Sequence, residues 1–84
     1  MDLNDIATRD DLEKWFKEGV SKGKRYMMVL CDTYDHSDYP AFFDTAKATL
    51  EKKASPGDMQ RVMEIYDLEG DMCEQLKVRR MMAL

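Results

Sequence analysis

Eighty-four residues are enough for one small domain, one that buries only about 60% of its unfolded surface, and a single domain is the expectation. With 44% hydrophobic and 36% charged residues the chain is globular rather than disordered, and no apolar run approaches the roughly 18 residues of a membrane span. The net charge of −4 works against a nucleic-acid face, since a chain of this sign repels phosphate.

The first element in chain order is a helix over "TRDDLEKWFKEGVSKGK". Thr8 caps it, Asp11 completes a capping box, and the acids of the first turn suit the positive helix end. Leu12, Trp15, Phe16, Gly19 and Val20 form one stripe on a 3.6-residue period. Gly19 within that stripe points to a close backbone approach, and Gly23 supplies a left-handed exit.

"YMMVLCD", residues 26–32, is an apolar run rich in β-formers and predicts a strand apolar on both sides. "TYDHSDY" then reads as a turn of about seven residues, and "PAFF" at 40–43 as a short second strand beginning at Pro40. "DTAKATLEKKAS" predicts a helix capped at its first residue, with a thin stripe of Ala46, Leu50 and Ala54, stopping at "SPGD".

"MQRVMEIYDL", residues 59–68, fits a helix by periodicity. Its β-propensity, and the need of a two-stranded hairpin for a third partner, favour a strand. A last helix follows in "GDMCEQLKVRR", with Asp71 as cap and basic residues in its final turn. The expected fold is therefore α+β, in the order α-β-β-α-β-α. A small three-stranded antiparallel sheet would have its helices packed on one face. Residues 1–84 form a single domain, with 1–7 and 81–84 expected to be loosely ordered. The second sheet face then needs a cover, either the C-terminal helix or a second chain.

The residues with chemical potential crowd into "LCDTYDHSDYP". All four acids of residues 26–44 are aspartates, with no Lys or Arg to offset them. Asp32, Asp35, His36, Asp38 and Tyr39 are the candidate binding residues. Asp, Ser and Tyr are also what tight turns use, and turn chemistry is the leading reading of the loop. A metal site of Asp32, Asp35, His36 and Asp38 is the alternative: three carboxylates and one imidazole suit Mn, Fe or Zn, although the spacing matches no standard ligand motif. Cys31 with His36 would make a nucleophile pair only if the fold joined them, and a strand cysteine is ordinarily a small hydrophobe. Asp35 and Asp38 would need a pocket for acid–base work. Of the eight methionines, Met28 and Met63 read as core, and Met81 and Met82 as exposed contacts.

The stretches "VLCDTYDHSDYP" and "MQRVMEIYDLEGD", with Trp15 and Phe16 before them, resemble a group of short uncharacterised bacterial proteins. That pattern pairs Cys-Asp-Thr-aromatic-Asp and Asp-Tyr-Pro with a Met-Gln-Arg-Val-Met-Glu block. The resemblance covers residues 8 to 80 and implies no activity. The sequence expectation is a small acidic, non-enzymatic domain, without cofactor, that self-associates as a homodimer or binds a protein partner. It is expected to act away from membranes and nucleic acid. The acidic N-terminus lacks a signal-peptide core, and the two cysteines read as free thiols of the cytoplasm. A metal-dependent enzyme or metal sensor built on the loop is the alternative.

Overall fold

The computed structural model describes residues 8–78. Its elements are α1 (Arg9–Ser21), β1 (Tyr26–Asp32), β2 (Asp38–Phe43), α2 (Ala46–Ala54), β3 (Gln60–Asp67) and α3 (Met72–Lys77). The α-β-β-α-β-α order and the antiparallel three-stranded sheet are as the sequence leads one to expect. β1 lies in the middle, paired with β2 on one side and β3 on the other. Residues 59–68 thus resolve as strand from Gln60 onward, and pairing with the central strand outweighs the helical period.

α1 begins as its sequence dictates. The Thr8 hydroxyl accepts from the Asp11 N–H at 3.2 Å, and the Asp11 carboxylate accepts from the Thr8 N–H at 3.1 Å. Leu12 and Phe16 are buried against Met27, Val29, Tyr66, Leu68 and Leu76, with Trp15 and Phe42 at the margin. Gly19 is where the helix meets the sheet most closely: a Cβ there would stand 2.7 Å from Leu68 Cδ1 and 2.8 Å from Phe42. Val20, the last member of the predicted stripe, turns outward instead. Gly23 takes φ +73° and ends the helix.

Alternate residues of β1 feed two separate cores, which explains a strand apolar on both sides. Met27 and Val29 join α1 and α3. Met28 and Leu30 join Ile65, with Tyr39, Ala41, Phe43 and Val62 around them. α2 lies over this second face rather than joining α1 and α3 on the first. Its Lys52 reaches Gln60 Oε1 at 2.7 Å, and Gln60 Nε2 donates to the Tyr39 hydroxyl at 2.7 Å. The cover that the sequence reading sought from the C-terminal helix or a second chain is supplied by α2.

The orientation of α2 differs from its predicted stripe. Ala46, Leu50 and Ala54 face solvent, and the fully buried residue is Thr49. A threonine is tolerated there because its hydroxyl donates to the Thr45 carbonyl at 2.8 Å, leaving only its methyl group to pack. The cap is Thr45, whose hydroxyl accepts from the Ala48 N–H at 3.1 Å, rather than Asp44, which pairs with Lys24. In α3, Asp71 caps through the Glu74 N–H at 3.1 Å, as expected. Arg79, Arg80, Met81 and Met82 lie outside the described residues.

β3 carries a bulge. Val29 pairs with Glu64 but Leu30 with Val62, which leaves Met63 as the extra residue. Met63 and Glu64 therefore both turn toward the α1 side, and Val62 turns to the other. Met63 packs at the edge of the first core. Glu64 is buried and accepts a hydrogen bond from the Tyr66 hydroxyl on the same face.

Candidate functional site

Residues 33–37 link β1 to β2 as a five-residue hairpin loop. It is two residues shorter than expected, because β2 starts at Asp38 rather than Pro40. Cys31 pairs with Asp38 and Leu30 with Tyr39, so these two candidate residues belong to the sheet. Tyr39 is drawn into the second core cluster and spends its hydroxyl on Gln60.

The remaining acids build the turn. Asp32 accepts from the Tyr34 N–H at 2.8 Å through its side chain. Its backbone N–H donates to Ser37 at 2.8 Å, and its carbonyl accepts from the His36 N–H. Asp35 Oδ1 accepts from both the N–H and the hydroxyl of Ser37, at 3.0 and 2.7 Å. These are Asx turns, in which a short carboxylate replaces a backbone acceptor. The Ser37 hydroxyl, then its N–H, hold the Asp35 carboxyl below the ordinary carboxylate value. The leading reading of the loop, as turn chemistry, describes Asp32 and Asp35 directly.

Two residues near this tip sit in the left-handed region without being glycine, His36 at φ +64° and Met59 at φ +58°. They belong to different segments that meet where the Thr33 N–H donates to the Met59 carbonyl at 2.9 Å. The tip is thus tied to the start of β3 as well as to itself. On this frame Tyr34 is 78% exposed and Met59 52% exposed. Sequence reasoning passed over both as site residues. The signal available for Tyr34 was its place between two turn-forming aspartates, with no apolar partner at strand or helix spacing.

The other chemical readings fare differently. Burial pushes the Cys31 thiol up, and the Asp38 carboxylate across the strand pushes it further. That is the opposite of what an activated nucleophile needs. The neighbour of Cys31 is Asp38, while His36 lies on the loop. Asp35 and Asp38 are divided between the loop and β2. Among the described residues, no three His, Cys, Asp or Glu side chains converge in a way that would hold a metal ion. Within the same residues, no helix is long and apolar enough to cross a membrane.

Electrostatically, the two ends of the sheet differ. Away from the tip, Lys24 pairs with Asp44 at 3.3 Å, and Arg25 reaches Asp67 at 3.6 Å and Glu69 at 3.3 Å. At the tip, Asp32, Asp35 and Asp58 have no Lys or Arg bridging them among the described residues. An exposed aromatic and an exposed thioether therefore stand near these carboxylates on a fixed turn, with Arg61 across from Cys31 on β3. Compared with known proteins, the chain matches no family model, no curated protein and no solved structure.

Proposed function

We propose that this protein is a non-enzymatic interaction domain of the cytoplasm that binds a protein partner through its hairpin tip. The observation that carries the reading is a turn locked by its own side chains that nevertheless holds Tyr34 78% exposed. Holding an aromatic in water has no benefit for folding, whereas a contact group that is already ordered loses little entropy on binding. Tyrosine is also among the side chains that most often anchor interfaces. Both faces of β1 are occupied by the chain's own residues, and among the described residues Tyr34 is the most exposed of the large hydrophobic side chains. Asp32, Asp35 and His36 act in this reading as the scaffold and charge of the tip. Asp38 and Tyr39 fasten it to the sheet.

The experiment is site-specific photo-crosslinking in the cells that produce the protein. A photoreactive phenylalanine analogue replaces Tyr34 in one sample and Lys17, on the exposed side of α1, in the other. A discrete adduct from position 34 alone is expected, suppressed by co-expressed wild-type chain but not by co-expressed Tyr34→Ala. Its mass tells a foreign protein from a second copy of this chain. Identical adduct patterns from the two positions, or none from position 34, would overturn the proposal.

A further inference from the structure

We infer that α2 is a lid: it lifts from the sheet while the rest of the fold stays closed, and so uncovers the apolar face of Met28, Leu30 and Ile65. The two faces of the sheet are covered in different ways. On the first, α1 and α3 send Leu12, Phe16 and Leu76 into the core, and all three are buried. On the second, Met28, Leu30 and Ile65 cluster with Tyr39, Ala41, Phe43 and Val62, and every one of these described residues belongs to a strand. The side of α2 turned to the sheet consists of Ala48, Thr49 and Lys52, of which only Thr49 is fully buried. Its one large apolar residue, Leu50, is 47% exposed.

α2 thus brings little apolar area of its own to the contact, and a helix of nine residues has little stability apart from its packing. Polar contacts do much of the anchoring. Lys52 Nζ donates to Gln60 Oε1 and to the Pro56 carbonyl, both at 2.7 Å, and Lys24 meets Asp44 just before the helix. Bonds of this kind are readily exchanged for bonds to water. The chain after α2 can take up the movement, since Ser55 has left the helical region and Gly57 stands at φ +104°. Lifting α2 breaks no pairing of β1 with β2 or β3 and leaves the first core closed, so the motion is a local opening rather than unfolding.

The test compares neighbours on one strand. In a full-length Cys31→Ala, Cys73→Ser background, Met28→Cys places a thiol beneath α2 and Met27→Cys places one beneath α1, both at fully buried positions. Labelling by an aromatic disulfide reagent is followed from zero to low urea, and each rate is divided by the unfolding constant of its own variant. On that scale Met28→Cys is expected to react at least about tenfold faster than Met27→Cys, and its unscaled rate should hardly change in low urea, because a local opening exposes little surface. Met27→Cys should follow the steep urea slope of global unfolding; Val29→Cys takes its place on the same face if Met27→Cys does not fold. Leu12→Val, which loosens only the first core, should speed labelling at position 27 by about fivefold and leave the unscaled rate at position 28 unchanged. Equal scaled rates, a rate at position 28 with the slope of global unfolding, or a parallel acceleration of both positions by Leu12→Val would each overturn the inference.

Discussion

The Thr33 N–H and the Met59 carbonyl, 2.9 Å apart, join the hairpin tip to the start of β3. Met59 is held at φ +58° where it makes this bond, and His36 at φ +64° closes the turn on the other side. A left-handed residue with a Cβ costs roughly 1–2 kcal/mol, so the tip is a place where the fold accepts backbone strain. Such strain persists when the surrounding bonds over-determine the geometry.

His36→Gly tests that strain directly. Relief of the left-handed cost, about 1–2 kcal/mol, outweighs the extra chain entropy of glycine, about 0.5–1 kcal/mol. Chemical denaturation should show unchanged or higher stability, by up to about 1.5 kcal/mol. His36→Val should instead destabilise, because a β-branched residue resists φ > 0. A glycine variant markedly less stable than wild type would mean that the imidazole itself supports the fold.

Gly19→Ala should destabilise although alanine is the better helix former. The new methyl group would stand 2.7 Å from Leu68 Cδ1 and 2.8 Å from the Phe42 ring, both packed in the first core. Overpacking of this kind costs about 1–3 kcal/mol, against a propensity gain of about 1 kcal/mol. A drop in melting temperature is the expected result, partly rescued by Leu68→Val. A rise would show that α1 sits farther from the sheet than described.

Asp35 predicts a pH dependence of known sign. Its folded carboxyl titrates below the ordinary value of about 3.9 because Ser37 donates to the charged form. A depressed carboxylate stabilises the fold above that ordinary value, and the contribution is lost as pH falls through the folded value. The stability gap between wild type and Asp35→Ala, from urea midpoints, should therefore be larger at pH 6 than at pH 3. A gap that is constant or widens in acid would contradict the assigned bonds.

Pro40 guards the outer edge of the sheet. The Asp32 N–H points across to Ser37, and alternation then turns the backbone of Tyr39, Ala41 and Phe43 toward β1 and that of Asp38, Pro40 and Phe42 away from it. The proline thus removes an N–H from the middle of an unpaired edge, a common defence against strand addition. Pro40→Thr should increase concentration-dependent association by light scattering relative to wild type. Equal behaviour of the two chains at the same concentration would show that the edge is protected by something else.

The elements most legible in the sequence are those with strong local signals. α1 follows from the Thr8–Asp11 capping box and the Leu12, Phe16 and Gly19 stripe, and β1 from its two apolar faces. α2 was legible as a helix but not in its orientation. Thr49 was unreadable as the buried residue because its polarity is cancelled by a bond to Thr45 that only the folded helix makes. Tyr39 was misplaced with the loop because its partner, Gln60, is far away in sequence and is brought near only when β3 pairs with β1. The role of Asp32 and Asp35 in the turn was read correctly, since Asx bonding is local. Met59 was missed because neither its backbone conformation nor its meeting with Thr33 leaves a mark in nearby residues.

The extra residue at Met63 gives β3 two halves of opposite parity. Gln60 and Val62 point to the α2 side on even numbers, whereas Ile65 and Asp67 do so on odd ones. A continuous register without the bulge would keep the facing of one half only by inverting the other, so the bulged register is the one that seats both halves beside β1. Shortening the chain by that one methionine would force a choice: either Glu64 and Tyr66 trade places with Ile65, or Arg61 and Val62 exchange sides.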